Sequence, residues 1–366
     1  MSTPERTITL IAVGDIMLGD SPVCFGFGVC SMMKKHGASF PFEHVTSLLK
    51  SADMAVGNLE AVASAFDPRH DSFKEIQYRA QPEAIQALAD AGFSVVSMAT
   101  NHTMQHGRAA VEETVGLLKQ AGIKFCGLEI PERSITNTCQ VEVNGHRFGF
   151  LNYNLRPRQY FIDPPLWKQP DRELITSEVS QLRQRVDTVV VCMHWGDEFI
   201  AYPSPEQVQL GRAIIDAGAR LVIGHHPHIL QGVERYGGGI IAYSLGNFVF
   251  DLWQPKLRRS MVLKTTIATS GDIAAEYIPV MINRRHQPEI LTGQAADEAV
   301  KYIERLAEQV TDDMATMDDY RKEVAANTRE YRRDVNRFYL THLHRYNPRL
   351  FFGNLVNSLR RRMGKK

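Results

Sequence analysis

Arg220-Leu221-Val222-Ile223-Gly224-His225-His226-Pro227-His228 reads as a short buried strand that ends at a glycine and opens directly into three histidines. Imidazole is costly to bury without partners, so packing does not account for such a loop. Its place straight after an apolar strand points to metal or phosphate chemistry.

Outward from this loop, strand and helix patterns alternate. Residues 8–13 form a short apolar run closed by Gly14-Asp15, 41–50 have helical spacing, and 53–56 enter a second strand. Pro82 fits the first turn of a helix that runs to Ala91 and stops at Gly92, and 93–98 is β-rich. The unit repeats with a helix over 107–121, a stop at Gly122 and a strand over 123–126. Asn144-Gly145, between 140–143 and 147–151, is a two-residue hairpin signal, and 156–169, rich in proline and aromatics, reads as a loop. A helix over 173–186, a buried strand over 188–193 and a helix over 206–217 lead into the histidine loop. Strands follow at 240–243, 261–268 and 274–280, the last two joined by Ser270-Gly271-Asp272. This alternation predicts an α/β sheet protein.

Strand after strand ends in a residue able to hold a metal: Asp15, then Asn58 and Glu60, Asn101-His102, His194, and finally His226 and His228. Carboxyl ends of strands in α/β sheets are where such side chains converge. Taken singly, Asp15 and Asn101 read equally well as turn or cap residues, and His194 as a hydrogen-bonded structural imidazole. Together, carboxylate, amide oxygen and neutral imidazole suit one or two divalent ions such as zinc, manganese or iron. Such ions clamp an anionic group and lower the pKa of bound water. His102, beside Asn101, is the candidate to protonate a leaving group.

Composition narrows the classes. A chain of 366 residues, 44% hydrophobic and with a formal net charge of +1, can bury a large core and gives no reason to expect a nucleic acid partner. Cys24, Cys30, Cys126, Cys139 and Cys192 are odd in number and scattered, which predicts reduced thiols in a cytoplasmic protein. The apolar run 8–13 is too short for a membrane span. From 288 the sequence becomes charged and helical, so the expected division is a main domain over 1–287 and a helical C-terminal extension over 288–366. Within 342–366, Arg345, Arg349, Arg360, Arg361, Arg362, Lys365 and Lys366 face no acid, and the apolar residues fall near helical spacing. This describes a basic amphipathic helix, either docked on the domain or resting peripherally on the anionic inner face of a membrane.

The order of motifs is itself informative. Gly14-Asp15-Ile16-Met17-Leu18, Asn58-Leu59-Glu60, Asn101-His102, His194-Trp195-Gly196-Asp197-Glu198, Gly224-His225-His226-Pro227-His228 and Tyr243-Ser244-Leu245-Gly246-Asn247-Phe248 resemble the CapA-type poly-γ-glutamate capsule synthesis proteins of the calcineurin-like metallophosphoesterase superfamily. The resemblance covers about residues 7–280. It implies a four-layer sandwich of two mixed sheets flanked by helices, with the metal site at their upper edge. It further implies Asp15 and His228 as ligands of one metal, and Asn101, His194 and His226 as ligands of the other. Asn58 stands where the superfamily has a bridging aspartate. Because an amide cannot provide a charged bridge, that role goes to Glu60, on the same strand face. Met17 replaces a histidine of most metallophosphoesterases, so the first metal loses a ligand, for which Asp20 is a nearby substitute. Gln105-His106 departs from the aspartate and tyrosine usual in CapA-type sequences. Glu198 is expected to orient a ligand histidine, Trp195 to wall the pocket, and Ser244 and Asn247 to meet substrate in a tight turn around Gly246; core packing and a structural turn are the competing readings.

Two functional classes follow. One is a metal-dependent hydrolase or transferase acting on a phosphoester, or on a γ-glutamyl-type amide in an anionic polymer or precursor, with a cytosolic tailoring enzyme as a variant. The other is a non-catalytic assembly factor that keeps the fold and binds the polymer during capsule synthesis.

Overall fold

A computed structural model describes residues 7–65, 77–156, 163–167, 170–310, 316–346 and 348. In chain order the strands are β1 (Thr7–Ile16), β2 (Met54–Leu59), β3 (Val62–Ala63), β4 (Arg79–Ala80), β5 (Phe93–Ser97), β6 (Lys124–Cys126), β7 (Thr138–Val143), β8 (His146–Asn154), β9 (Thr188–His194), β10 (Leu221–His225), β11 (Val233–Tyr236), β12 (Gly239–Ala242), β13 (Asn247–Val249), β14 (Arg259–Ala268), β15 (Ile273–Ile282) and β16 (Pro288–Ile290). The α-helices are α1 (Val29–His36), α2 (Thr46–Lys50), α3 (Glu83–Ala91), α4 (Gly107–Gln120), α5 (Arg172–Arg183), α6 (Pro205–Asp216), α7 (Gly293–Glu308) and α8 (Met317–Thr341).

Two mixed sheets form the body. The first runs β16-β15-β14-β1-β2-β5-β6, with β13 also pairing to β1; the second runs β11-β12-β10-β9-β8-β7. Each has a parallel run, β1-β2-β5-β6 and β12-β10-β9-β8; antiparallel strands flank it on one side in the first sheet, where β6 is a parallel edge, and on both sides in the second. Strand alternation sorts the side chains into layers. Ile8, Leu10 and Ala12 of β1 meet Val190 and Cys192 of β9 and Leu221 and Ile223 of β10 between the sheets. On β1, Ile11 and Val13 turn the other way, against Ile85 and Leu88 of α3 and Val111 and Val115 of α4. Val189, Val191 and Met193 of β9 pack on Ile175 and Val179 of α5 and Ile214 of α6. The result is the helix-sheet-sheet-helix sandwich that the motifs implied. With both faces covered, the central strands read as continuous apolar runs rather than alternating ones.

Most expected elements form, and the differences have local causes. The hairpin closes at Asn144 and Gly145, both at positive φ (52° and 81°), as a tight turn between right-twisted strands requires. The expected helix over 41–50 is instead a 3₁₀ turn at Phe40–Phe42 followed by α2, because Phe40 and Phe42 are both buried and a single helix does not bury them together. The helix expected over 173–186 stops at Arg183, leaving Asp187 to accept from the Arg147 backbone at 2.8 Å and its guanidinium at 2.9 Å. Strands β3, β4, β11, β13 and β16 were not anticipated.

Beyond residue 287, β16 adds to the first sheet, Ile303 and Leu306 of α7 enter the core between the sheets, and α8 stacks Tyr331 on Phe199 and Phe338 on Trp253, each at 4.4 Å. The basic amphipathic segment lies outside the described residues from 349 on; before it, Arg345 sits 3.9 Å over the Phe27 ring. Among the described residues no helix is long and apolar enough to cross a membrane.

Candidate metal centre

Parallel pairing brings strand ends to one level. In the first sheet Asn247, Asp15, Asn58 and Ser97 are successive partners across β13, β1, β2 and β5. In the second, Asn154, His194 and His225 are partners across β8, β9 and β10. Register shifts on both sides of Asp15 bend β1 at this point, the usual means of re-aiming a side chain next to a site. His226 and His228 follow with φ of 94° and 57°, conformations that cost a non-glycine residue energy and persist where the surroundings enforce them.

Asp15 is fully buried and organises one side of the centre. Its Oδ1 accepts from the Asn58 amide at 2.9 Å and lies 3.2 Å from His225 Nδ1. Its Oδ2 accepts from the His226 backbone and lies 3.2 Å from His228 Nδ1. Burial pushes the Asp15 carboxyl upward, but the His225 and His228 rings overcome it and hold the group well below the usual carboxylate range. Reciprocally, Asp15 helps lift both imidazoles above their ordinary value against the downward pull of burial. On the other side, His194 Nε2 donates to Asn101 Oδ1 at 2.9 Å, and the His194 and His226 rings sit 4.8 Å apart. Burial holds both of these imidazoles neutral, well below the usual range.

Glu60 lies between the two sides. Completely buried, it has its Oε1 3.7 Å from His194 Nε2 and 3.8 Å from His228 Nε2, and neither carboxylate oxygen has a hydrogen-bond partner. His226 is in the same condition at both ring nitrogens, as are His194 Nδ1 and the Asn101 amide nitrogen. Buried polar atoms are ordinarily satisfied, so several unpaired in one place call for a ligand of opposite character. Donor atoms of Glu60, His194 and His226 lie within 4.8 Å of one another, and so do those of Asp15, Glu60 and His228, and of Glu198, His226 and His228. Imidazole nitrogen and carboxylate oxygen at this spacing fit a divalent cation, and Glu60 is common to two of the sets.

Several predicted residues have other surroundings. Asn58 is turned with its amide nitrogen to Asp15 and its oxygen accepting from Ser97 Oγ at 2.8 Å, so it steadies Asp15. Trp195 is fully buried, stacked on Tyr243 at 5.9 Å with its indole N–H on the Tyr243 carbonyl, and it adjoins a small cavity shared with Arg156, Asp197 and Tyr320. Ser244 and Asn247 are fully buried and hydrogen-bonded within the protein. Ser244 Oγ accepts from Gly246 N, while Asn247 Oδ1 sits 2.9 Å from His228 Nδ1 and its amide donates to the carbonyls of His228 and Leu257. Glu198 is exposed and faces two candidate ligand histidines, His226 and His228. His102 is buried against Tyr78 with Nδ1 2.8 Å from Gln105 Oε1, and burial pulls its pKa down to about 4. Met17 belongs to an apolar cluster with Phe199, Phe250 and Leu257. Asp20 does not stand in for it, since its carboxylate is used by Gly26 and Ser31. Sequence reasoning missed Asn154 and the pairing of His225 with Asp15; the uninterrupted histidine run was the available signal for the second.

Residues 9–252 match the family model described as bacterial capsule synthesis protein PGA_cap. The chain belongs to that family. It is 31% identical over 287 residues to the capsule biosynthesis protein CapA of Bacillus anthracis, covering 76% of this chain and 68% of that protein. It is also 31% identical over 278 residues to the PGA biosynthesis protein CapA of Bacillus subtilis, covering 74% and 70%. Among solved structures, a phosphatase of Mycoplasma pneumoniae aligns with a TM-score of 0.48 at 11% identity, over 76% of this chain and 94% of that one. The PGA_cap match contains every candidate ligand from Asp15 to His228 together with Asn247, whereas α7 and α8 lie beyond it.

Proposed function

We propose that this PGA_cap protein is a metal-dependent hydrolase-like protein of capsule or poly-γ-glutamate synthesis, acting on a phosphoester or a γ-glutamyl-type amide. One observation carries the reading: Glu60, fully buried with both oxygens unpartnered, is shared by two sets of candidate ligands, His194 with His226 and Asp15 with His228. Glu60, His194, His226 and Asn101 would hold one cation, and Asp15, Glu60 and His228 another. A bound divalent cation supplies positive charge for an anionic substrate and acidifies water toward attack at neutral pH. The protein's own part is orientation. Asn247 fixes the His228 ring, Asn58 and His225 fix Asp15, and Glu198 stands at the exposed side facing both loop histidines.

Met17 favours a second reading, a polymer-binding assembly factor with one cation, because a thioether packed among Phe199 and Phe250 leaves the Asp15 side short of a donor. Metal analysis of the purified protein separates these readings, followed by phosphomonoester, phosphodiester and γ-glutamyl substrate panels. The hydrolase reading expects bound metal, turnover on one panel, and loss of both in Glu60→Gln and His226→Ala. Unchanged metal content and unchanged activity in those variants would overturn it.

A further inference from the structure

A cavity of about 530 Å³ opens between α7 and the edge of the first sheet, away from the candidate metal centre. Its volume falls in the roughly 300–1,000 Å³ range of small-molecule sites. None of the candidate ligands lines it. The interior is apolar, with Leu230, Val280 and Ile303 almost completely buried and Ala299 contributed by the facing side of the helix. The polar groups are of one dominant sign: Arg259, Lys301 and Arg305 against Glu298. Glu298 is engaged by Gln294 at 2.9 Å, and none of the three cations pairs with a carboxylate among the described residues. Arg259, though exposed, has its guanidinium 4.9 Å over the Tyr302 ring at the cavity.

An apolar interior with three cations to one carboxylate at its rim is complementary to a ligand with a hydrocarbon body and an anionic head. We propose that this cavity binds a small amphiphilic anion, a carboxylate or phosphate on an apolar chain. Its floor adjoins the functional backbone: Leu230 bridges Leu245, Ser260 bridges Gly246, and the Gly246 carbonyl accepts from Asp15 N at 3.0 Å.

Calorimetric titration of the full chain with octanoate, octyl phosphate, 1-octanol, octylammonium and acetate tests the assignment without any activity readout, so it stands or falls separately from the proposed hydrolase. Octanoate and octyl phosphate are expected to bind one per chain, with 1-octanol, octylammonium and acetate at least tenfold weaker. Ala299→Trp, which fills the cavity, should abolish octanoate binding. The exposed Arg259→Gln, which does not threaten the fold, should weaken octanoate at least fivefold and leave 1-octanol unaffected. No binding of either anion, equal binding of 1-octanol and octanoate, or wild-type affinity in Arg259→Gln would each overturn the proposal.

Discussion

Asp251 is buried with Oδ2 accepting from Ser21 N at 2.8 Å and Oδ1 unpartnered, close to the Asp20 carboxylate. Burial, and then Asp20, raise its pKa to about 7. A carboxyl whose folded value is raised stabilises the fold fully below its unfolded value of about 3.9, and that stability is lost as pH rises through the folded value. Urea denaturation should therefore show the protein losing stability between about pH 4 and pH 7 through this group. Asp251→Asn should flatten that slope and gain on the order of 3 kcal/mol at pH 8. An unchanged slope would remove Asp251 as its source. Asn247 yields a second prediction, because its amide satisfies two buried carbonyls and its oxygen steadies His228. Asn247→Ala should cost roughly 2–4 kcal/mol in the same measurement. Residue types were readable here without their roles: the chain announces Asn247 and Trp195 as polar and aromatic groups beside a site, and only their partners make one a histidine support and the other core.

At the level of elements, β1 approaches the turn before β13 backbone to backbone. A Cβ on Gly14 would lie 2.0 Å from the Gly246 carbonyl oxygen, backbone against backbone, whereas one on Gly116 in α4 would meet nothing within 4 Å. Gly14→Ala should thus destabilise by about 3 kcal/mol or more, or fail to give soluble protein. Gly116→Ala should stabilise by roughly 0.5–1 kcal/mol, as a half-buried helical glycine with open space at its Cβ allows. Equal effects on denaturation midpoints would contradict this account. The apolar runs of β1, β9 and β10 and the stops at Gly92 and Gly122 were legible because they are set locally. β13 was not, since three residues beside a tight turn have too short a pattern to announce that they pair with a strand more than two hundred positions earlier.

For the molecule as a whole, burial governs chemical access. Cys24, Cys30, Cys126 and Cys192 are buried and Cys139 is half-buried, with burial pushing the Cys30 thiol up to about 12 and Cys24 well above the usual range. Titration of the native protein with a thiol reagent should give one fast-reacting cysteine, Cys139, and all five only after unfolding. Fast reaction of several thiols would show that the layers open readily. A chelator should lower the melting temperature, with recovery on adding back a divalent cation, because a ligand bound only by the folded state stabilises it.

Sequence alone determined the α/β alternation, the recurrence of metal-capable residues after strands, and Glu60 as the carboxylate to set beside them, since periodicity and residue chemistry are local properties. Tertiary structure decided which of these share a site and in what state. Asp15 meets the His226 backbone across 211 positions. The unpaired oxygens of Glu60, the neutrality of His102 and the inward turn of Asn58 likewise exist only once two sheets have excluded water and set the register between strands far apart in the chain.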